Sequence, residues 1–365
     1  MKICHVTYLR FKDGNGITNA VVNLCQKENE SERVDVSKIL SIDDFLPNEN
    51  NDLYTIFTRL NMLLNPDSNV FNIIKHLIKF KPDIVNFHVI YKPLTMLLAF
   101  ICCLLNIKYV VTPHSSLMYE AQKKNKRIKT IYNTLFLKRM LSKSSLVYFL
   151  NHSELDNSEK MVDRLKYRIL PNGVEQRARQ QRVRNSTGLK ILFLARYDVH
   201  HKGIDILLSY IESKMDFFER NNISLDMYGS GDASSIQCIV DEKEINGFVN
   251  VNGTVFGESK ENAFKSADVY ILTSRYEGLP ISVLEALSYG LPCLLSKHCN
   301  MQESTAYGCS FQIDNSENLL DSLNLLINSD DFHNASIKAF NYIDEKFNWD
   351  KIVSSRIDDF EKVNT

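Results

Sequence analysis

The sequence predicts an α/β protein made of two doubly wound, Rossmann-like domains. Short apolar, β-rich runs alternate with longer helical patterns along the 365 residues, and parallel strands require such long crossovers between them. A chain of this length exceeds what one ordinary core organises, so two domains are expected. The polar, Arg- and Gln-rich stretch 174–189 lacks apolar periodicity and separates two sets of strands. We therefore place the interdomain linker there.

The predicted domains span residues 1–173 and 190–346, on either side of this linker. Open α/β sheets bind ligands at the carboxyl ends of their strands, and binding pockets commonly form between domains. A central cleft between two facing domains is therefore the expected ligand site. The predicted strands are 2–9, 34–40, 83–89, 108–114, 145–150 and 167–172, then 190–196, 224–231, 248–255, 267–274 and 292–296.

Composition describes a globular protein in a reducing compartment. Hydrophobic residues make up 44% and charged residues 24% of the chain, and the net charge of -1 gives no reason to expect nucleic acid as a partner. The eight cysteines are scattered without a C-x-x-C pair, which favours small buried hydrophobes over disulfides or metal ligands. The histidines show no zinc-ligand spacing, so no metal site is expected.

No membrane span or signal peptide is predicted, and the expected location is the cytoplasm. The N-terminus enters a strand pattern directly. The most apolar helix, 94–105, falls short of the roughly 20 residues needed to cross a bilayer. It is expected to be a core helix.

A pair of glutamates follows the predicted strand 267–274. Glu277 and Glu285 flank a turn at Pro280, which suits the start of a helix, and Gly290 is a plausible C-cap. The first turn of a helix offers free N–H groups to an anion. Two carboxylates beside a bound diphosphate could accept hydrogen bonds from sugar hydroxyls. The alternative is that both are solvated charges.

The stretch E-G-L-P-I-S-V-L-E-A resembles the E-x7-E motif of retaining GT-B glycosyltransferases and is similar to glycosyltransferase family 4. The resemblance implies that Glu277 contacts the transferred sugar and that Glu285 hydrogen-bonds the ribose. It further implies that the turn at Gly278, Leu279 and Pro280 binds sugar or phosphate oxygens of the donor.

A second element, FLARYDVHHKGIDILL at 193–208, resembles the family segment G-R-x-x-x-x-K-G-x-D-x-L. Arg196 and Lys202 would neutralise the donor diphosphate and stabilise it as a leaving group. The alternative is an exposed arginine and lysine near a turn. Because the chain has no D-x-D pair, we expect that no metal or other cofactor is required.

Less specific matches extend the predicted site. In the first loop, G-N-G-I-T-N is not a dinucleotide fingerprint; the resemblance implies that Gly16 reaches the donor phosphate, although a purely structural turn remains open. His114, in a T-x-H segment, would hydrogen-bond the donor sugar or the acceptor, and His88 is a weaker candidate. Three further donor-binding candidates lie in strand-end turns: Gly229, Thr254 and Val255.

The closing segment, about 347–365, resembles the terminal W-x-x-I helix of GT-B proteins, which returns to the first domain. It would complete the acceptor-binding domain 1–173, with Trp349 as a packing anchor. The domain 190–346 would then bind the nucleotide sugar.

The implied activity is transfer of a hexosyl or N-acetylhexosaminyl group, with retention, from a nucleotide diphosphate sugar to a saccharide hydroxyl. We expect a UDP-sugar as donor and a lipid-linked acceptor in O-antigen or capsule synthesis. A sugar-nucleotide epimerase of the same fold and a non-catalytic nucleotide-sugar-binding subunit remain alternatives. A dehydrogenase is disfavoured because the dinucleotide fingerprint is missing.

The segment 121–143 holds eight Lys or Arg residues and no acid. Apolar residues are interleaved with them, which suggests a basic face that docks peripherally on the anionic inner surface of the cytoplasmic membrane. The alternative is an ordinary amphipathic helix with solvated charges. The interleaved residues are Ile128, Ile131, Leu135, Phe136 and Leu137.

Overall fold

The computed structural model describes residues 1–9, 16–43, 54–58, 66–123, 125–158, 165–177 and 188–364. The chain forms two compact units. The first unit comprises residues 1–173 together with 349–365, and the second comprises residues 174–348.

Strands and helices alternate in the first unit. In order they are β1 (Lys2–Thr7), α1 (Gly16–Asn29), β2 (Val36–Asp43), β3 (Tyr54–Thr58), α2 (Pro66–Phe80), β4 (Ile84–Phe87), α3 (Pro93–Leu104), β5 (Lys108–Val111), α4 (Tyr119–Lys123), α5 (Lys126–Tyr132), a π-helical turn (Asn133–Leu137), α6 (Lys138–Lys143), β6 (Leu146–Phe149), α7 (His152–Asp156) and β7 (Tyr167–Ile169).

The second unit repeats the alternation. It contains β8 (Leu189–Leu194), α8 (Ile204–Glu212), α9 (Met215–Arg220), β9 (Ile223–Tyr228), α10 (Ala233–Glu242), β10 (Val249–Asn252), α11 (Gly257–Ser266), β11 (Val269–Leu272), α12 (Ile281–Ser288), β12 (Cys293–Leu295), a 3-10 turn (Lys297–Cys299), α13 (Gln302–Tyr307), β13 (Ser310–Gln312), α14 (Ser316–Ile327) and α15 (Ser329–Lys346). The last helix, α16 (Trp349–Asn364), belongs to the first unit.

Each unit is built on one parallel sheet. The first sheet has strand order β3-β2-β1-β4-β5-β6-β7 and the second β10-β9-β8-β11-β12-β13. In both, the chain starts at an inner strand, runs to one edge and then crosses to the other side, which is the doubly wound pattern. The predicted α/β fold class is confirmed.

Helix α16 packs on one face of the first sheet. Ile3, Val110 and Tyr148 from three strands form a buried cluster with Trp349 and Phe360 of the helix. A salt bridge between Arg168 and Asp359 also joins β7 to α16. The buried apolar face of this helix explains why it belongs to the first unit although it ends the chain.

The central strands of the second sheet are buried on both faces. The four residues of β11 are fully buried, and the apolar residues of β8 and β12 join them in one core cluster. Parallel strands covered on both faces are continuous apolar runs rather than alternating ones. The sequences of these strands are therefore continuous apolar runs, which predict buried strands.

Two strands were missed. The sequence prediction did not include β3 or β13, both of which lie at the edge of a sheet. The other two edge strands, β7 and β10, fall within the predicted strands 167–172 and 248–255, so an edge position alone does not hide a strand in the sequence.

The ends of the predicted linker differ from expectation. Val174 bridges to Asn348, and Gln176 donates a hydrogen bond to Asp344. Residues 174–177 therefore belong to the second unit instead of forming a free connection. Residues 178–187 of the predicted linker lie outside the described residues.

Two other sequence expectations need correction. All eight cysteines are free, but Cys103 and Cys238 are exposed rather than buried. Helix α3 is buried on one face only, because Leu97, Phe100 and Leu104 are exposed. It is therefore not a core helix in the sense expected from its composition.

Gly173 is required by the packing of Trp349, the single tryptophan of the chain. A Cβ atom at this position would lie 2.3 Å from the indole ring. We expect Gly173→Ala to destabilise the first unit by about 1–3 kcal/mol, because a side chain forced into a filled site displaces its neighbours. Urea unfolding followed by circular dichroism, with Trp349 fluorescence in parallel, measures the change.

Gly247→Ala is the matched control, since a Cβ there meets nothing within 4 Å. Equal stability of the two variants would contradict the role given to the Gly173–Trp349 contact.

Candidate active site

A lysine–glutamate pair lies at the carboxyl ends of two neighbouring strands of the second sheet. Lys202 Nζ donates a hydrogen bond to Glu277 Oε1 at 2.6 Å, and Ser274 Oγ donates to the same oxygen at 2.6 Å. The side chains of Lys202 and Glu277 are 15% and 11% exposed. Both hydrogen bonds described for the carboxylate end on Oε1, so Oε2 can accept from a ligand hydroxyl.

The turn that carries Lys202 depends on Gly203. This glycine adopts φ +63°, and a Cβ would lie 2.1 Å from the carbonyl oxygen of Thr273. The Thr273 hydroxyl in turn donates to the carbonyl oxygen of Gly203 at 2.9 Å. Only glycine allows this approach of two backbones, so the K-G dipeptide fixes the lysine against the end of β11.

The loop that carries Glu277 is held from both sides. Arg275 forms two parallel hydrogen bonds to the carboxylate of Asp205 in α8, at 2.7 and 2.8 Å. These bonds lower the pKa of Asp205, as expected for a carboxylate that accepts from a guanidinium. Asn300 donates to the carbonyl oxygen of Glu277, and the Glu277 N–H donates to the carbonyl oxygen of His298. The backbone of this loop is therefore well fixed.

Helix α12 begins one residue later than predicted. Pro280 is the N-cap, with φ -74° and ψ 103°, and the helix starts at Ile281. The ring of Pro280 fits this extended position as well as the first helical one. Gly278 and Leu279 lead into the first turn, so the predicted anion site has the expected local structure. Gly290 follows the C-cap with φ +73°.

Glu285 lies one turn into α12 and has its own lysine partner. Lys260 Nζ donates to Glu285 Oε1 at 2.6 Å, and the two side chains are about one quarter exposed, at 24% and 25%. Since Lys260 belongs to α11, this pair ties two helices together. Each glutamate of the E-x7-E stretch is thus paired with a lysine from a distant part of the chain.

Arg196 lies at the carboxyl end of β8 but is more exposed than Lys202. Its side chain is 61% exposed, and its guanidinium lies 3.6 Å from the carboxylate of Asp198. Its Nη2 also lies 3.5 Å from Nδ1 of His201. His201 stacks on Tyr276 with ring centroids 4.0 Å apart. Burial, together with the charge of Lys202, lowers the pKa of His201, so this ring is neutral at neutral pH.

The predicted nucleotide-side residues meet at the next two strands. The Gly229 N–H donates to the carbonyl oxygen of Gly253 at 3.3 Å, and Thr254 Oγ1 donates to the carbonyl oxygen of Gly229 at 3.3 Å. Val255 follows directly and is partly exposed. The turns after β9 and β10 are therefore joined at the same edge of the sheet as Lys202.

The predicted residues of the first unit are placed as follows. Gly16 is the first residue of α1, and the preceding loop, with Gly14, lies outside the described residues. His114 follows β5 and has left-handed backbone geometry, with φ +47°. Its Nε2 lies 2.8 Å from Nδ1 of His88, so the two candidate histidines are in direct contact.

A buried glutamate fixes the backbone at His114. Glu154 is fully buried and accepts hydrogen bonds from the N–H groups of Ser115 and Leu150. Ser115 also has a positive φ, +64°, and two successive left-handed non-glycine residues are strained. The hydrogen bond from the Ser115 N–H helps to hold this conformation, and the one from Leu150 fixes the glutamate. Burial raises the pKa of Glu154 to about 7.

Sequence reasoning missed the partners of the two glutamates. Ser274, Lys260 and Asn300 contact Glu277 or Glu285, and no local spacing pattern contains them. His201 could have been noticed because it precedes Lys202 directly in the H-H-K-G run. Within the described part of the chain, no group of three or more His, Cys, Asp or Glu side chains is arranged to hold a metal ion.

Solved structures share the fold of this chain, and two family models match its sequence. The structure of a sucrose-phosphate synthase from Thermosynechococcus elongatus superposes with a TM-score of 0.73, covering 99% of this chain and 98% of that one at 14% identity. The family model described as Glycosyltransferase Family 4 matches residues 15–177, and that described as Glycosyl transferases group 1 matches residues 174–340. The chain belongs to family 4 of the GT-B glycosyltransferases. The family predicted from the E-x7-E stretch is confirmed.

Curated relatives of this glycosyltransferase match over part of their length. A UDP-Gal:α-D-GlcNAc-diphosphoundecaprenol α-1,3-galactosyltransferase of Escherichia coli is 26% identical over 192 residues, 47% of this chain and 48% of that protein. A phosphatidyl-myo-inositol mannosyltransferase of Mycobacterium leprae is 26% identical over 185 residues, covering 49% of this chain and 48% of that one. The chain spans about half the length of both relatives.

The raised pKa of Glu154 predicts that the first unit loses stability as pH rises. Between its ordinary value of 4.5 and about 7, the folded protein keeps a proton that the unfolded chain has released. Stability therefore falls through this window, by up to about 3 kcal/mol. Urea unfolding followed by Trp349 fluorescence at pH 5 and pH 8 measures the difference. Glu154→Gln is the control, and an equal pH dependence in both proteins would rule out Glu154 as its source.

Proposed function

We propose that this glycosyltransferase is a retaining enzyme that moves a hexosyl or N-acetylhexosaminyl group from a UDP-sugar to a hydroxyl of a lipid-linked saccharide. The observation that carries the proposal is the 2.6 Å contact between Lys202 and Glu277 beside the first turn of α12. It places a cation, a carboxylate and helical N–H donors together. A nucleotide diphosphate sugar needs all three, for its phosphates and for its hydroxyls.

Lys202 is suited to share its charge between Glu277 and the donor diphosphate. An ammonium has three hydrogen-bond donors, and the contact with Glu277 Oε1 uses one of them. The N–H groups in the first turn of α12 add a partial positive charge. Arg196, whose side chain is exposed, can contribute a second cation. Together these groups would stabilise the departing phosphate without requiring a metal ion.

Glu285 and Lys260 are suited to the nucleoside half of the donor. The hydrogen bond described for the Glu285 carboxylate ends on Oε1, which leaves Oε2 as an acceptor for ribose hydroxyls. Because this pair is partly exposed, its net contribution to stability is small. Lys260 can therefore move aside, or share the carboxylate, at low cost when the donor binds.

Retention at the anomeric carbon is proposed to proceed by attack on the same face from which the phosphate departs. In this mechanism the leaving phosphate accepts the proton of the acceptor hydroxyl, and no protein nucleophile is needed. Glu277 is held by both Lys202 and Ser274, which suits a carboxylate that positions the sugar and stabilises positive charge at the reacting carbon.

The proposed acceptor and pathway are supported by the activities of two relatives. The E. coli relative acts on a saccharide attached to diphosphoundecaprenol, and the M. leprae relative acts on a phosphatidylinositol lipid. We extend this to a lipid-linked saccharide in surface-polysaccharide synthesis, as in O-antigen or capsule formation.

A variant pair tests the donor site directly. A thermal-shift screen of UDP-, GDP- and ADP-sugars first identifies the donor, since a ligand that binds only the folded state raises the melting temperature. Glu277→Gln and Lys202→Ala should then each lower turnover of that donor about 100-fold or more, because a preorganised charge contact is lost.

The matched control is Glu212→Gln, which breaks another lysine–glutamate pair of the same unit, that with Lys243. Turnover within a few-fold of wild type in either site variant would remove the proposed site. Product analysis separates the alternatives: an epimerised donor would indicate an epimerase, and binding without transfer or hydrolysis would indicate a non-catalytic subunit.

We further propose that the enzyme docks on anionic membrane surfaces through the segment 121–143. Four apolar side chains of α5 and the π-helical turn are exposed: Ile128 71%, Ile131 62%, Leu135 60% and Phe136 50%. Leu137, which the sequence grouped with them, is fully buried. Large exposed apolar groups beside solvent-exposed lysines and arginines are typical of interfacial helices.

Positive charges surround these apolar residues. The exposed basic residues described in the segment are Lys123, Lys126, Arg127, Lys138, Arg139 and Lys143. Each lysine or arginine near an anionic surface contributes roughly 1 kcal/mol of attraction. Helix α3 contacts α6 and adds exposed Phe100 and Leu104. In the described part of the chain, no helix is long and apolar enough to cross a bilayer.

Co-sedimentation with liposomes tests this surface. We expect binding to vesicles that contain anionic phospholipid at low salt, weakened by high salt because the charges are screened. Lys126→Glu combined with Arg127→Glu should reduce binding at least tenfold. The control is Arg220→Glu combined with Lys265→Glu, which changes the net charge equally at exposed sites of the second unit. Equal loss in both double variants, or no binding by wild type, would exclude this segment as the docking surface.

A further inference from the structure

A chain of buried hydrogen bonds leads from His114 into the core of the first unit. His114 Nε2 lies 2.8 Å from His88 Nδ1, and His88 Nε2 lies 2.9 Å from His5 Nδ1. His5 Nε2 lies 2.7 Å from Oε2 of Glu28. His5, His88 and Glu28 are buried, whereas His114 keeps part of its surface exposed.

The chain follows from the topology of the sheet. His5 lies in β1, His88 directly follows β4 and His114 follows β5, and these three strands are neighbours. In the register of the sheet, His5 pairs with Asn86, two residues before His88. Each step across the sheet therefore also moves towards its carboxyl edge. Glu28, near the end of α1, covers the inner end of the chain.

Charges around the chain keep the outer two rings neutral. The buried guanidinium of Arg356 in α16 lies 4.3 Å from the centre of the Tyr148 ring, and its Nε and Nη1 have no hydrogen-bond partner among the described residues. Burial and this positive charge lower the pKa of His114 to about 3, and that of His88 falls well below its ordinary value. A neutral imidazole has one N–H donor and one bare nitrogen acceptor.

The carboxylate of Glu28 gives the chain its direction. Glu28 Oε2 accepts from Ser37 Oγ and lies 2.7 Å from His5 Nε2, and an accepting carboxylate oxygen there requires a hydrogen on Nε2 of His5. When Nε2 carries the single hydrogen of the His5 ring, Nδ1 is bare and accepts from Nε2–H of His88. In the same way His88 Nδ1 accepts from Nε2–H of His114. Three rings that each carry one hydrogen and are bonded Nδ1 to Nε2 have only two possible directions, and the opposite one sets a bare nitrogen against the carboxylate.

We propose that Glu28 is a positioning residue that, through His5 and His88, fixes the tautomer of His114 so that its Nδ1 accepts a hydrogen bond from a saccharide hydroxyl. The orientation of a histidine by the group behind it is a general device for setting which ring nitrogen faces a ligand. The ligand part of this inference rests on the proposed function. The tautomer part depends only on the first unit.

Nitrogen NMR of isotopically labelled histidine side chains tests the tautomer in the wild-type protein. Protonated and unprotonated ring nitrogens resonate far apart, and single histidine variants assign the signals of the nine histidines. We expect Nε2 protonated and Nδ1 bare in His114, His88 and His5. A hydrogen on Nδ1 of His114 would overturn the proposal, and this result is obtained without any change at Glu28.

Glu28→Gln tests the transmission. A carboxamide can donate as well as accept, so the direction of the chain is no longer imposed, and the His114 signals should shift towards a mixture of tautomers. Donor turnover should fall on the order of 10-fold to 100-fold, as for other supporting hydrogen-bond partners behind a ligand-binding side chain. The thermal shift given by the nucleotide sugar should persist.

Tyr109→Phe is the matched control, since it removes another buried hydrogen bond of the same sheet, from Tyr109 to the carbonyl oxygen of Met140. It should leave the His114 signals and turnover unchanged. An unaltered tautomer in Glu28→Gln would overturn the role of Glu28. A mixed tautomer with wild-type turnover would overturn the role of Nδ1 towards the substrate, while the proposed transferase activity would stand.

Discussion

The ion pair between Lys202 and Glu277 determines the arrangement of the site in the second unit. It joins the turn after β8 to the loop after β11, and these strands are neighbours in the sheet. Both side chains are mostly buried, and a buried charge that loses its partner is strongly destabilising. The positions of the cation, the carboxylate and the start of α12 are therefore set together. The contact between Gly203 and Thr273 holds the same two loops at the level of the backbone.

The parts of the fold that could be predicted are those with an apolar run of their own. Central strands such as β8 and β11 are covered on both faces, and their sequences show it. The edge strands β3 and β13 were not recognised from such a run. The sequence prediction for Leu137 is wrong for a different reason. Leu137 shares one helical face with Met140 and Leu141, and all three are buried, whereas Leu135, two residues earlier, lies on the opposite face and is exposed. Grouping Leu137 with the exposed apolar residues ignored this spacing.

The candidate site was predictable where function depends on residues close in sequence. The spacing of Glu277 and Glu285 around a turn indicated a carboxylate at the start of a helix and another one turn later, and α12 has this arrangement. Their lysine partners lie 75 and 25 residues away in sequence. Only the folded arrangement of strands and helices brings each lysine close to its glutamate. The chain from His114 to Glu28 was equally hidden, because its members come from one strand, two strand-end loops and a helix.

The two units place their polar groups at different depths. One keeps an ion pair partly exposed, and the other buries a chain of hydrogen bonds. In the second unit, the Lys260–Glu285 pair is about one quarter exposed, so water still reaches it and a ligand hydroxyl can replace one partner at modest cost. The first unit buries His5, His88 and Glu28, where exchange with solvent groups is expensive and every hydrogen bond restricts the next. A partly exposed pair can adapt to a ligand that arrives and leaves in each cycle. A buried chain cannot adapt, but it can hold one nitrogen of His114 in one protonation state throughout that cycle.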